Sequence, residues 1–361
     1  MSNETIFEEL LLDKKIDIRD SVLFDTPVKC KEEVNFDKIE GMMLGLAVGD
    51  SLGNTTESMM PQDRLKKHSI VTDYLLNKYG RAKKGFPSDD TQMTAWTLDR
   101  ILKDNDYVPE KVASAFTGKK IFGIGNTVSE FLRNIYAGKK WYEAGTKSAD
   151  NGSLMRISPI IIPHLKHAEG NLWVDTVLCA MTTHNDSAAI ASCLALVNLL
   201  WQVIDMKKAP EPMFWLEKFV ETLEEFECDS NYKPRSRAYA DYKGTLWQYI
   251  DKVVREAYNN NLSVLDACNK WYSGAYIFET VPCVLYILMK HGDNFEKAII
   301  RAVNDTYDND TIAAIVGSVL GALHGKSGIP QRWLKDLTGR TADSDDGRIF
   351  EILNETENFL K

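Results

Sequence analysis

Two short clusters of hydroxyl and carboxylate residues, far apart in the chain, are the strongest candidates for chemistry. The first is Ser88-Asp89-Asp90-Thr91, and the second is Asp308-Asn309-Asp310-Thr311. Carboxylates this close to one another repel and raise each other's pKa unless a cation neutralises them. Because oxygen ligands from Asp, Ser and Thr suit hard divalent ions, the two clusters indicate a site for Mg²⁺ or Mn²⁺ if the fold brings them together.

The alternative role for each cluster is helix capping. Ser and Asp are common N-caps, and acidic residues in a first turn complement the helix dipole. A cap needs only one acid, however, whereas each cluster has two. Each cluster is also followed by an apolar helical segment, Met93–Trp96 in one case and Ile312–Val316 in the other. This shared pattern favours metal binding in addition to capping.

Glycines recur at four-residue spacing in the segments beside both clusters. The segment before the first cluster contains Gly41, Gly45, Gly49 and Gly53, and the segment after Asp310 contains Gly317, Gly321 and Gly325. Glycine within a helix costs roughly 1 kcal/mol relative to alanine. Its repetition on one helical face therefore predicts two helices that approach closely in the middle of the fold. Such packing would carry Glu57 toward the second acidic cluster.

Composition narrows the functional classes. The chain has 361 residues, of which 44% are hydrophobic, so it can bury a large core. A net charge of −9 without a sustained basic stripe argues against direct binding to a nucleic-acid backbone. We expect no membrane span, because no run reaches about 18 apolar residues. The six cysteines are far apart and the start lacks a signal-peptide pattern, which predicts a cytoplasmic protein with reduced thiols.

The pattern of apolar residues predicts an all-α fold. Residues 1–35 are mixed and charged, and we expect them to form an N-terminal extension ahead of a domain over 36–361. Within that domain, residues 205–245 are polar and proline-containing and are predicted to form a surface insertion. Apolar residues recur at three- and four-residue steps in six segments, which are Leu194–Trp201, Met213–Phe226, Tyr249–Tyr258, Ala275–Met289, Phe295–Val303 and Ile349–Leu360.

Three further segments are candidate binding elements. The loop at 149–156 contains Asn151, Gly152, Ser153 and Met155, and its backbone N–H groups could cradle a phosphate, although a simple turn is equally consistent with it. Gly123 and Gly125 form a second small-residue loop with the same two possible roles. His184 lies among hydroxyl and amide groups and could bond a ribose or phosphate, but a lone histidine ahead of a helix is more often structural.

Taken in order, these segments resemble the ADP-ribosylglycohydrolase family, whose members remove ADP-ribose from modified side chains and related adducts. The match extends over most of the chain. The segments that carry it are Gly45–Gly53 with Glu57, Ser88–Thr94, Asn151–Arg156, Thr183-His184 and Asp308–Ala314. The resemblance implies a compact orthogonal multi-helix bundle with two Mg²⁺ or Mn²⁺ ions in a central cleft.

The resemblance also implies residue roles. One ion would be held by Ser88, Asp89, Asp90 and Asp310, and the other by Glu57, Asp308, Asp310 and Thr311. The catalytic set would be Glu57, Asp89, Asp90 and Asp310. Substrate contacts would come from Asn151, Gly152, Ser153, Met155 and His184, with Gly123 and Gly125 bordering the adenosine. The chain departs from the usual family pattern at Tyr307, Asn309 and Ala149-Asp150.

The implied function is hydrolysis of the bond at C1″ of the ribose, with an ADP-ribosylated protein as substrate and ADP-ribose as product. ADP-ribosyl-arginine is the first substrate to consider. One alternative is an immunity or binding protein that occludes an ADP-ribosyltransferase toxin, with the segment around Phe24–Pro27 covering the toxin's active site. Another is a metal-dependent phosphohydrolase of a different kind, which would release phosphate.

Overall fold

The chain folds as an all-α protein, as its sequence predicts. The computed structural model describes residues 1–77, 82–166 and 170–361. Within these ranges, β-structure is limited to isolated bridges. The helices are α1 Asn3–Leu12, α2 Phe36–Asn54, α3 Pro61–His68, α4 Asp89–Asp104, α5 Pro109–Ala115, α6 Asn126–Tyr136, α7 Trp141–Ala144, α8 Ile161–His164, α9 Leu172–Met181, α10 Ser187–Val203, α11 Pro212–Phe226, α12 Leu246–Asn259, α13 Val264–Trp271, α14 Ile277–His291, α15 Phe295–Asp305, α16 Asn309–His324, α17 Gln331–Asp336 and α18 Arg348–Leu360.

The six segments predicted from apolar periodicity all lie within or largely within helices. They correspond to α10, α11, α12, α14, α15 and α18, and the predicted limits fall within a few residues of the observed ones. Among the described residues, none of these helices is both long and apolar enough to cross a membrane. The periodicity succeeded because each helix presents an apolar face to the shared core.

Helices α2 and α16 form the antiparallel centre of the fold. A Cβ atom built on Gly41 would overlap the backbone of Gly321, and one on Gly45 would overlap Gly317. At the other end of α2, a Cβ on Gly53 would overlap Asp310. The predicted close approach is therefore confirmed, and it places the carboxyl end of α2 against the amino end of α16.

Adding a methyl group on the α2 contact face should destabilise the protein. In Gly49→Ala, the new Cβ would overlap the Ala313 carbonyl group. The gain in helix propensity is roughly 1 kcal/mol, whereas forcing the two backbones apart should cost about 3 kcal/mol. Urea denaturation should therefore show a net loss of stability. Gly125→Ala is the matched control, because a Cβ there meets nothing within 4 Å. Equal stability of the two variants would contradict this account of the helix pair.

The predicted N-terminal extension and the predicted surface insertion both take part in the packing. In residues 1–35, Phe7 and Leu10 of α1 are buried, and the ring of Phe24 lies 4.6 Å from that of Phe7 and 5.1 Å from that of Phe226. In residues 205–245, α11 buries Trp215 among other apolar side chains. The division into extension, domain and insertion remains a prediction.

Candidate active site

The ends of three helices converge to form the acidic centre. Asp50 lies near the end of α2, Asp90 lies in the first turn of α4, and Asp308 immediately precedes α16. The contact between α2 and α4 is polar, because Asp50 accepts hydrogen bonds from the Ser88 backbone N–H at 2.9 Å and from the Thr91 hydroxyl at 2.5 Å. Asp50 thus fixes the start of α4 beside α2.

The carboxylates form two groups that share one residue. One group contains Asp50, Asp90 and Asp310, and the other contains Glu57, Asp308 and Asp310. Within each group, the three oxygen atoms lie within 4.8 Å of one another. The fold therefore brings the two sequence clusters together, and it places Asp310 between two possible cation positions.

Capping does not explain the two clusters. Ser88 is the N-cap of α4 and Asp308 is the N-cap of α16, but neither side chain makes a capping hydrogen bond. The Ser88 hydroxyl instead donates to Asp90 Oδ2 at 3.1 Å, while Asp90 Oδ1 is buried without a hydrogen-bond partner. A buried carboxylate oxygen without a donor is costly, and a divalent cation would satisfy it. The residues present therefore fit a metal site.

Burial and mutual repulsion strengthen this conclusion. Burial, followed by the charges of Asp50 and Asp89, holds the pKa of Asp90 well above its usual range. Burial, with the charges of Glu57 and Asp308, does the same to the pKa of Asp310, which is only 3% exposed. Burial also raises the pKa of Asp89 to about 8 and that of Asp308 to about 6. A cation would remove most of this electrostatic cost, because it would offset the repulsion directly.

A cavity of about 600 Å³ opens over the acidic centre. Its volume lies in the range of small-molecule binding sites in proteins. Most of the predicted site residues line it, namely Glu57, Asp89, Asp90, Gly123, Gly125, Asn151, Gly152, Met155, Asp308, Asp310 and Thr311. Residues that were not predicted to be site residues also line it, including Thr127, Lys147, Ser148, Asp150, Arg235 and Tyr276.

Three predicted site residues lie outside this lining. Ser88 is buried against Asp90, and Ser153 is buried with its hydroxyl 3.5 Å from Cys193 Sγ. His184 is fully buried below the loop at 149–156, where it contacts Asp150 through Nε2 and Thr183 through Nδ1. A Cβ on Gly152 would lie 2.9 Å from the His184 ring. The glycine therefore leaves room for a histidine that supports the loop from beneath.

Asn151 has a clear orienting role. Its side-chain amide donates to Asp308 Oδ2 at 2.6 Å and to the Thr280 hydroxyl at 2.9 Å. It therefore fixes the position of a carboxylate in the second acidic group. On the opposite wall, Gly123 has a positive φ of 63°, and a Cβ there would meet Asp89 Oδ1 at 3.0 Å. Both loops thus control the space around the acids.

Comparisons with known proteins assign the chain to a family. The family model described as ADP-ribosylglycohydrolase matches residues 31–357. The chain belongs to the ADP-ribosylglycohydrolase family. Membership makes it a glycohydrolase that removes ADP-ribose from modified substrates, and it confirms the resemblance drawn from the five motifs.

Individual relatives and a solved structure are also similar over most of their length. An ADP-ribosylarginine hydrolase Tri1 from Pseudomonas putida is 26% identical, with 84% of this chain and 75% of that protein covered. An ADP-ribosyl-[dinitrogen reductase] glycohydrolase from Rhodospirillum rubrum is 28% identical, with 83% and 90% covered. A solved ADP-ribosylglycohydrolase-related protein complex is 21% identical with a TM-score of 0.61, covering 90% of this chain and 99% of that one, so the fold is shared.

Sequence reasoning missed two residues that build this glycohydrolase site. Asp50 gave a signal, since it is a carboxylate in the middle of a glycine-rich apolar helix. Arg64 gave no signal in the sequence, yet it is fully buried. Its guanidinium donates to the Thr56 and Met59 carbonyl groups on one side and to the Thr306 carbonyl group on the other. Arg64 therefore ties the turn that contains Glu57 to the segment that precedes Asp308.

Removing the Arg64 guanidinium should loosen this connection. Arg64→Met leaves several buried carbonyl groups without a donor, so the free energy of unfolding should fall by about 3 kcal/mol. Thermal and urea denaturation would measure the loss. Lys66→Met on the same helix is the control, because its exposed ion pair with Asp63 should contribute little. A stable Arg64→Met protein would show that the turn is held by other contacts.

Proposed function

We propose that this glycohydrolase hydrolyses the bond between C1″ of ADP-ribose and an amino-acid side chain, with the help of two divalent cations. The observation that carries the proposal is the pair of carboxylate groups that share Asp310 at the floor of a ligand-sized cavity. An oxygen-rich site for two hard cations suits a reaction in which a sugar diol is held and water is activated.

The two cations, Mg²⁺ or Mn²⁺, would have separate ligand sets. One cation would be held by Ser88, Asp89 and Asp90. The other would be held by Glu57, Asp308 and Thr311. Both cations would share Asp310. Asp50 already accepts several hydrogen bonds from the start of α4, so we assign it the role of positioning that segment. When bound, such cations polarise the hydroxyl groups of a diol and lower the pKa of water.

One of the protein's own carboxylates would orient the attacking water molecule or accept a proton from it. Glu57 is exposed and Asp89 partly exposed at the cavity, so either can reach a water molecule near C1″. Bond cleavage at an anomeric carbon proceeds through an oxocarbenium-like state, which nearby carboxylates stabilise. Asn151 holds Asp308 in place through its hydrogen bond, so the acid does not have to reorganise during the reaction.

Arginine is the first linkage to test. The relative from Pseudomonas putida is named as an ADP-ribosylarginine hydrolase, and the one from Rhodospirillum rubrum as an ADP-ribosyl-[dinitrogen reductase] glycohydrolase. Both names describe removal of ADP-ribose from a modified protein or side chain. We extend that substrate class to this chain.

The test is release of free ADP-ribose from an ADP-ribosyl-arginine protein, with Mg²⁺ or Mn²⁺ present and after chelation. Cation-dependent release of intact ADP-ribose is the expected result. Release of phosphate with no free ADP-ribose would favour a phosphohydrolase instead. If ADP-ribosyl-arginine is not cleaved, serine and nucleobase adducts are the next substrates, and inactivity on all of them would overturn the proposal.

We do not extend the proposal to a toxin-occluding role. The segment around Phe24–Pro27, which would have to reach a toxin, has its aromatic ring packed between Phe7 and Phe226. Neither the Pseudomonas putida nor the Rhodospirillum rubrum relative is named for a toxin partner. Hydrolysis therefore has support that occlusion lacks.

A further inference from the structure

The loop at 149–156 is poorly supplied with free donors for an anion. Asn151 N–H donates to the Ala275 carbonyl at 2.9 Å, and Met155 N–H donates to the Asn151 carbonyl at 3.0 Å. Gly152 N–H donates to Asp150 Oδ1 at 3.1 Å. Much of the backbone of this loop is therefore already hydrogen-bonded, and Asp150 adds a carboxylate to the lining of the cavity.

Asp150 keeps its negative charge in this position. Burial opposes ionisation, but the charge and hydrogen bond of His184, with further donors in Thr127 and Gly152, lower the pKa of Asp150 below its usual range. The Asp150–His184 pair therefore supplies no net positive charge on the loop side of the cavity. A ligand with two phosphates would need a cation from elsewhere in the protein.

Arg235 supplies such a cation. It lies in the segment 205–245 and lines the cavity beside Tyr276. Tyr276 lies against the loop at 149–156, because Ile277 N–H donates to the Ala149 carbonyl at 2.9 Å and Asp150 forms a β-bridge with Tyr276. Arg235 therefore stands next to the loop in which the donors are occupied.

The Arg235 side chain is held in one orientation. Nε donates to Glu279 Oε1 at 2.8 Å, and Nη2 donates to Glu279 Oε2 at 2.7 Å, with Glu279 fully buried. The guanidinium also lies 5.3 Å from the centre of the Tyr276 ring, which stacks on Phe278 at 5.2 Å. These contacts leave Nη1 for another acceptor, and 58% of the side chain is exposed.

We propose that Arg235 binds the phosphates of the ligand and is the main side-chain anion site of the cavity. This inference rests on the proposed function, because it takes an ADP-ribosyl group as the ligand. A guanidinium recognises phosphate oxygens through directed N–H bonds, and one held by a buried carboxylate loses little freedom on binding. Lys147, the other cation lining the cavity in the described part of the chain, is a single flexible ammonium group.

The direct test compares Arg235 variants for binding of ADP-ribose. Isothermal titration in the presence of Mg²⁺ gives the dissociation constant, and steady-state kinetics on the ADP-ribosylated protein gives kcat and KM. Arg235→Gln should raise the dissociation constant and KM about ten- to a hundred-fold, with a much smaller change in kcat. It should also weaken the salt dependence of binding. Arg235→Lys should be intermediate, because the charge remains but the planar fork is lost.

Two further variants separate this effect from a loss of structure. Arg235→Gln leaves the Glu279 carboxylate buried without its partner, so the double variant Arg235→Gln/Glu279→Gln removes both charges and should bind ADP-ribose as weakly as the single one. Arg237→Gln removes an exposed arginine from the same segment and should leave binding unchanged. Wild-type affinity in the Arg235→Gln protein, or equal weakening in Arg237→Gln, would overturn the proposal.

The outcomes also distinguish this inference from the proposed function. Normal hydrolysis and unchanged binding in Arg235→Gln would refute the role of Arg235 and leave the hydrolase intact. Arg235-dependent binding of ADP-ribose by a wild-type protein that hydrolyses no linkage would refute the hydrolase and support the anion site. A wild-type protein that binds no ADP-ribose and hydrolyses no linkage would refute both.

Discussion

Asp310→Asn is expected to reduce turnover by about a thousand-fold or more. Removing a residue that only hydrogen-bonds to a metal ligand typically costs about ten- to a hundred-fold, and the loss of a shared ligand should cost more. Asp310 belongs to both carboxylate groups, so its replacement weakens both cation positions at once. The amide has the same shape as the carboxylate and removes a repulsive charge. The helix pair should therefore remain folded, with unchanged circular dichroism and a stability at least equal to that of the metal-free wild type.

Asp305→Asn is the matched control for this experiment. Asp305 is also a buried acid, and burial raises its pKa to about 6, but it lies at the end of α15 and pairs with Arg301 at 3.2 Å. Its replacement should change stability and leave turnover within a few-fold of wild type. Retained activity in Asp310→Asn, with a normal requirement for divalent cations, would contradict the two-cation assignment.

The central helix pair and the acidic site could be anticipated because their signals are local. Glycine lowers helix propensity, so its repetition at four-residue spacing in α2 and α16 indicates that two backbones pack closely there. This packing brings Glu57 near Asp308, as the spacing predicted. Apolar periodicity found six further helices, because apolar residues recur at three- and four-residue steps in each. These features depend on residues near each other in the chain, which is the information that a single sequence contains.

The remaining parts of the site depend on contacts between distant segments. Asp50 belongs to the acidic centre only because Ser88 and Thr91 donate to it across the α2–α4 contact. His184 is fully buried below Gly152 and contacts Asp150 from there. Arg235 reaches the cavity from a polar segment whose composition gave no indication of that position. Spacing along the chain cannot reveal any of these pairings.

The Asp310 shared by both groups also links function to stability. Without a cation, the folded protein must either keep protons on its buried acids or tolerate their repulsion. Because burial and neighbouring charges raise the pKa of Asp89 to about 8 and that of Asp308 to about 6, the folded chain binds more protons than the unfolded chain near neutral pH. The stability that these acids contribute is present at low pH and is lost as the pH rises through those values.

We therefore expect metal-free protein to lose stability, on the order of several kcal/mol, between about pH 5 and about pH 8.5. Saturating Mg²⁺ should remove much of that decline, because the cation takes the place of the protons. Thermal unfolding with chelator and with Mg²⁺, measured across this pH range, tests the prediction.

Other buried acids with raised pKa values, such as Asp175 and Glu279, affect both curves equally, so the difference between the curves isolates the cation site. Asp310→Asn should reduce that difference, and Asp305→Asn should preserve it. Parallel curves for the wild type would mean that the acidic centre holds no cation.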